Sequence, residues 1–160
     1  MTRDIKKPIV DREYITNNQP WPLDALPREY VPHPATKWYP PVFGFGVALS
    51  KEETERFAEH FDIPIDKEYY ENVISKRLTE SCGARFTTRC CDMGGGPDES
   101  IQLFPMVTNY DVHKVEVTEP LEKFCEVVEK VFGSSKQIGW WLEYTANHSP
   151  DHYRVSNLLW

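Results

Sequence analysis

Proline crowding divides this chain into two parts. Eight of its 13 prolines fall within residues 1–41, at positions 8, 20, 22, 27, 32, 34, 40 and 41. At that density a helix loses its hydrogen-bond ladder and an interior strand loses its donors. Regular structure is therefore expected from residues 42–160, read as a single α+β domain. The first 41 residues do not have the composition of a solvated tail, however. Tyr14, Trp21, Tyr30, Trp38 and Tyr39 are more aromatic side chains than a disordered linker carries. They predict an extended Pro/aromatic arm laid on a surface, whether its own domain, a second copy in a homodimer, or another protein.

A length of 160 residues with 40% hydrophobic and 13% aromatic content is enough for one sizeable core. The formal net charge is −7. The arm is near neutral, with six basic and five acidic residues, while residues 42–160 carry 12 basic and 20 acidic. An acidic chain without a basic cluster is a poor match to a phosphate backbone, so nucleic-acid binding is not expected. No apolar run approaches a membrane span. The N-terminus, Met-Thr-Arg-Asp-Ile-Lys-Lys-Pro, lacks the apolar core of a signal peptide. Cys82, Cys90, Cys91 and Cys125 show no Cys-x-x-Cys spacing, which predicts reduced thiols and a cytoplasmic location.

Within the domain the clearest stretch is Thr118–Thr145. Thr118 is placed to cap a helix, Glu119 puts negative charge in its first turn, and Pro120 sits where a missing N–H costs nothing. Leu121, Phe124, Cys125, Val128, Val131 and Phe132 share one helical face, and Gly133 is a stop. The aromatic run Ile138–Thr145 follows as a strand.

Earlier, Val42–Leu49 is a strand with unequal faces. Phe43, Phe45, Val47 and Leu49 point one way; Val42, Gly44, Gly46 and Ala48 point the other. Ser50 with Glu53 predicts a capping box, opening a helix with Phe57, Ala58 and Phe61 on its core side. Asp66 is the expected cap of a second helix, in which Tyr70, Val73, Ile74 and Leu78 share a face before Gly83. Arg85–Met93 and Ile101–Asn109 predict a hairpin around the loop 94–98, with Pro105 marking a bulge or an edge. Asp111–Val117 is expected to stay extended. The resulting order, β-α-(α)-β-β-α-β, is ferredoxin-like: a four-stranded antiparallel sheet with helices on one face and its first and third strands central.

That architecture would leave one face of the sheet open. Gly44 and Gly46 would floor it. Trp140 and Trp141 are adjacent, so one must look toward it, and Tyr144 and Glu143 stand beside them. A small-residue trough next to an aromatic suits a small-molecule ligand. It would suit the arm or a dimer mate equally well. The expected function is therefore a small-molecule-binding protein with its site on the open face beneath the arm, with enzymatic activity left open. The alternative is a non-enzymatic interaction or assembly protein using the arm and that face. Glu143 is the candidate acid or base, because an apolar setting would raise its pKa; pairing with Arg85 or Arg89 is the plainer role.

Other motifs carry less. Gly44-Phe45-Gly46 fails as a dinucleotide fingerprint, since Leu49 replaces the third glycine. Gly94–Gly96 lacks a following Gly-Lys-Ser/Thr and is flanked by Asp92, Asp98 and Glu99, so it is no phosphate loop. His148, Asp151 and His152 could ligate a metal, but Pro150 between the histidines favours a polar loop. Cys90 and Cys91 face opposite ways, so one is expected in the core and the other could be reactive beside Arg85 or Arg89. No cofactor is expected.

Overall fold

In the computed structural model, the described residues are 10–33, 40–94, 101–144 and 158–159. The central element is β2 (Phe43–Leu49), preceded by the short β1 (Val10–Asp11) and α1 (Arg12–Asn18) of the arm. After β2 come α2 (Lys51–His60), α3 (Tyr70–Cys82), β3 (Arg89–Cys90), β4 (Gln102–Thr108), α4 (Thr118–Phe132) and β5 (Ile138–Leu142), with β6 (Leu158–Leu159) near the end. The main sheet is four-stranded and antiparallel, in the order β3-β4-β2-β5, so β2 and β4 are central. β1 and β6 form a separate parallel pair.

Local chemistry accounts for most element ends. The Ser50 side chain accepts from Glu53 N, and Glu53 returns a bond to Ser50 N, completing the capping box of α2. Gly83 (φ 79°) and Gly133 (φ 82°) close α3 and α4 in the left-handed region, where a side chain would be strained. Pro105 does mark a bulge: the β2–β4 register shifts between Phe45 and Gly46, which face Val107 and Pro105.

The core lies between the sheet and the three long helices. Phe43, Phe45, Val47 and Leu49 meet Phe57 and Ala58 of α2, Ile74 and Leu78 of α3, and Phe124 and Val128 of α4. Burying each large side chain is worth roughly 1.5–3 kcal/mol. The helices thus cover one sheet face, the one presenting the large side chains of β2.

Several expectations need correction. Asp66 does not cap α3; Tyr69 stands there in the left-handed region (φ 62°), with no side-chain cap. Thr118 is the first residue of α4 and not its cap. Its N–H donates to the Glu116 carboxylate at 2.9 Å. Val73 and Cys125 are exposed, because the stripes of α3 and α4 are narrower than their apolar residues imply. Residues 112–114 form a 3-10 turn in place of an extended run. Strand geometry over 85–93 is confined to Arg89–Cys90 and a bridge at Cys91.

The arm is not wholly extended. Its helix α1 occupies the proline-free gap between Pro8 and Pro20, and Asp11 caps it by accepting from Glu13 N. The described arm lies at the β5 edge. Trp21 exchanges backbone hydrogen bonds with Trp140 (3.4 and 2.8 Å), and the Trp140 indole donates to Leu23 O at 2.9 Å. Ile15 and Tyr30 enter the main core, and Tyr30 stacks on Phe43 at 5.1 Å between ring centroids. Buried Asn109 ties the segments together: it accepts from Phe43 N and donates to Tyr30 O and Pro41 O. Trp38 and Tyr39 lie outside the described residues. No described helix is long and apolar enough to cross a membrane.

Candidate functional site

The sheet face away from the helices is not the empty trough that its small residues suggest. β2 is buried along its whole length. A Cβ at Gly44 would stand 2.7 Å from Pro105 Cβ and 3.0 Å from Leu103 Cδ2. At Gly46 it would stand 2.0 Å from the Phe104 carbonyl oxygen, pushed inward by the bulge. At Gly139 it would meet Pro20 of the arm at 2.7 Å. Ala48, Leu103, Trp141 and Cys91 form a second small core on this side. The glycines of β2 are thus required by close packing. The cause is one of position: bulky neighbours on β4 lean into the space that β2 leaves.

Cys91 also ties the two ends of the sheet. It bridges Glu143 just beyond β5, and Asp92 N donates to Leu142 O at 2.8 Å. Burial holds the Cys91 thiol well above its ordinary pKa, with Asp92 and Cys90 adding to the effect. It is the core member of the cysteine pair; Cys90 is exposed.

Beyond the filled part, a groove of about 440 Å³ remains. It is lined by Arg85, Thr87, Arg89, Pro105, Met106, Val107, Thr108, Asp111, Lys114, Val115 and Glu143. Its origin is legible from the backbone. Thr87 N donates to Pro105 O, and Arg89 pairs with Leu103, so residues 85–89 run beside β4. With a period of two, Arg85, Thr87 and Arg89 share the face away from the helices. Phe86 and Thr88 take the other face. Phe86 packs on Phe124 at 4.8 Å, and Thr88 bonds Ser75 of α3. These two anchor the segment and aim its cations into the groove.

Glu143 closes the far wall. Its side chain is 3% exposed and lies 3.6 Å from Arg89 Nε, whose own side chain is 47% exposed. Lys114 and Asp111 form a looser, solvent-facing pair at 3.7 Å. Arg85 makes no ion pair or hydrogen bond among the described residues. The floor is Pro105, Met106 and Val107, all buried. The arrangement offers a nonpolar base, two threonine hydroxyls, and a guanidinium pair beside one buried carboxylate.

Of the residues singled out from the sequence, Glu143 lines the groove. Gly44, Gly46, Trp140, Trp141 and Tyr144 are not among its lining residues. Trp140 belongs to the helix-side core, opposite Phe45. Trp141 looks the other way, and its indole N–H is buried without a hydrogen-bond partner among the described residues. Tyr144 is half-buried at the end of the described segment. His148, Asp151 and His152 lie outside the described residues. Among the described residues no group of three His, Cys, Asp or Glu stands close enough to hold a metal ion. Arg85, Thr87 and Lys114 were not singled out as ligand contacts. The alternation Arg85-x-Thr87-x-Arg89 was the available signal, since a half-buried strand puts all three on one side.

A larger depression of about 740 Å³ runs along α2. Its charged rim, Glu52, Glu55, Glu59 and Asp62, is the solvent face of that helix and its end. Arg56 there is engaged by Val131 O at 3.0 Å and by the Phe132 ring. It brings no buried polar group to a ligand. No family model, curated protein or solved structure matches this chain.

Proposed function

We propose that the chain is a small-molecule-binding protein built on a ferredoxin-like sheet, with its site in the groove between Arg85–Arg89, the second half of β4 and Glu143. The observation that carries this reading is the nearly inaccessible Glu143 carboxylate in the wall of a groove floored by buried apolar side chains. Such a combination concentrates polar recognition in an apolar recess. The strand order, with the first and third strands of the sheet central and two helices between its first and second strands, supports the ferredoxin-like assignment. The site lies farther along the face than the glycines, and the arm meets that face at Gly139, away from it.

The test is amide chemical-shift mapping with uncharged aromatic fragments such as benzamide. Binding is expected to move the amides of Thr87, Arg89, Thr108 and Glu143, and Glu143→Gln should weaken it. Shifts confined to the α2 depression or the arm would overturn the assignment, as would the absence of any saturable shift.

A further inference from the structure

We infer that the groove takes an amphiphilic oxyanion, a small carboxylate or phosphomonoester. Its charged end is held by Arg85 and Arg89, and its apolar body lies on Pro105, Val107 and Val115. This rests on the reading that the groove is a small-molecule site, and it adds the ligand's chemical class.

The charge distribution is the first ground. The chain as a whole is acidic, at −7. The groove nevertheless collects Arg85, Arg89 and Lys114 against Glu143 and Asp111. The two carboxylates are already engaged, one by Arg89 and the other by Lys114. Among the described residues Arg85 is the groove cation left over, and an anion entering the groove would complete the balance.

Geometry is the second ground. Arg85 and Arg89 lie four residues apart on an extended segment, roughly 13 Å along the backbone at about 3.3 Å per residue. Their side chains are long enough to converge over Thr87, which lies between them in the chain and also lines the groove. A planar guanidinium presents parallel N–H groups that match two oxygens of a carboxylate or phosphate, which an ammonium does not. Arg89 is additionally oriented by Glu143. Fixing one arm of the clamp in advance lowers the ordering cost of binding.

The floor is the third ground. Pro105, Met106 and Val107 are buried residues of β4, and Val115 is an exposed aliphatic at the rim. An inorganic anion would leave the half-exposed Val115 wet, whereas a ligand with an apolar body covers it.

The experiment titrates the isotope-labelled full chain with benzoate, phenyl phosphate, benzamide and inorganic phosphate at constant ionic strength. Affinity is read from groove amide shifts. At least one of the two aromatic anions should bind about tenfold or more tighter than benzamide, the range set by hydrogen bonds to a charged partner. Whichever binds tighter assigns the head group. Inorganic phosphate should bind more weakly than phenyl phosphate. Arg85→Met should abolish the advantage of the anions, bringing their affinity to that of benzamide, while leaving the thermal midpoint unchanged. Should that variant unfold, added salt provides the same discrimination, weakening benzoate and not benzamide.

If benzamide equals both anions at the groove, the oxyanion inference falls while the groove reading stands. If inorganic phosphate equals phenyl phosphate, the apolar half of the inference falls. If none of the four moves the groove amides, the functional reading itself fails.

Discussion

Replacing Arg12 with methionine should loosen the arm and cost about 2–3 kcal/mol. Asp92 is the reason. Its side chain is fully buried and accepts from Arg12 Nε at 2.9 Å, Arg12 Nη2 at 2.8 Å and Gly94 N at 2.9 Å. The bond to Asp92 lifts the Arg12 pKa above its ordinary value against the opposing effect of burial. Gln19 adds a second tie, donating to Asp92 O at 2.7 Å and accepting from Leu142 N at 2.9 Å. Removing one partner of a fully buried ion pair costs roughly 3–5 kcal/mol, because a charge is left without compensation. Here the Arg12 side chain is 25% exposed, so water can reach part of the vacated site, and Gly94 N remains as a donor. Both effects reduce the penalty to the lower figure. Against a total stability of about 5–15 kcal/mol, that is a large change.

The assay is urea unfolding followed by fluorescence of the five tryptophans, with Arg12→Met, Asp92→Asn and the double variant compared in a cycle. The double variant should be less destabilised than the sum of the single ones, since Asp92→Asn leaves a neutral group that tolerates the loss of the guanidinium. Hydrogen exchange in α1 should accelerate in Arg12→Met before the β2 amides respond. A single variant within about 0.5 kcal/mol of the parent, or strictly additive effects, would refute the claim that this pair holds the arm.

Gly46→Ala should destabilise by about 2–3 kcal/mol, the upper part of the overpacking range, because the obstacle is the Phe104–Pro105 backbone of the bulge. Thermal unfolding should rank it below Gly44→Ala, where the obstructing atoms belong to side chains; equal midpoints would refute that ordering. Alkaline pH should also destabilise the fold. Burial first, then nearby Glu29, pushes Tyr30 up to about 12, and burial pushes Cys82 up to about 11 despite Lys123. Both groups fold as neutral acids, so their contribution is intact below the unfolded pKa values of roughly 8.5 and 10 and drains away as pH rises toward the folded values. Midpoints should therefore fall progressively above about pH 9, and Tyr30→Phe should flatten the upper part of that decline. An unchanged slope in that variant would count against Tyr30 as a cause.

Fold and site differed in how readable they were. The capping box at Ser50–Glu53, the stops at Gly83 and Gly133, and the bulge at Pro105 were all legible, because each depends on groups within a few residues. The face assignment of β2 was legible for the same reason: alternation is a local property. The expected cap at Thr118 failed because a competing local partner exists: its N–H donates to Glu116; at Asp66 the helix simply begins later, after Tyr69. The helix α1 runs against the average proline density of the arm, because prolines are unevenly spaced and the gap from Pro8 to Pro20 allows two turns. At the site, the sequence singled out Glu143 and offered Arg85 or Arg89 as its partner, of which the fold pairs Arg89, and it did not mark Arg85, Thr87 and Lys114 as groove residues.

What this sequence determined by itself is the alternation of elements, their ends and the inequality of the two β2 faces, all set by interactions along the chain. Tertiary structure alone decided what fills the small-residue side. Leu103 and Pro105 occupy the space above Gly44, more than 50 residues away in the chain, and Pro20 does so at Gly139. An absent side chain does not say whether the space it leaves is packed or vacant; that depends on the size of whatever the fold brings opposite. The pairings of Arg89 with Glu143 and of Arg12 with Asp92 have the same character. A charge acquires its partner by proximity in space, and here proximity follows from strand register and from the bridge between Cys91 and Glu143.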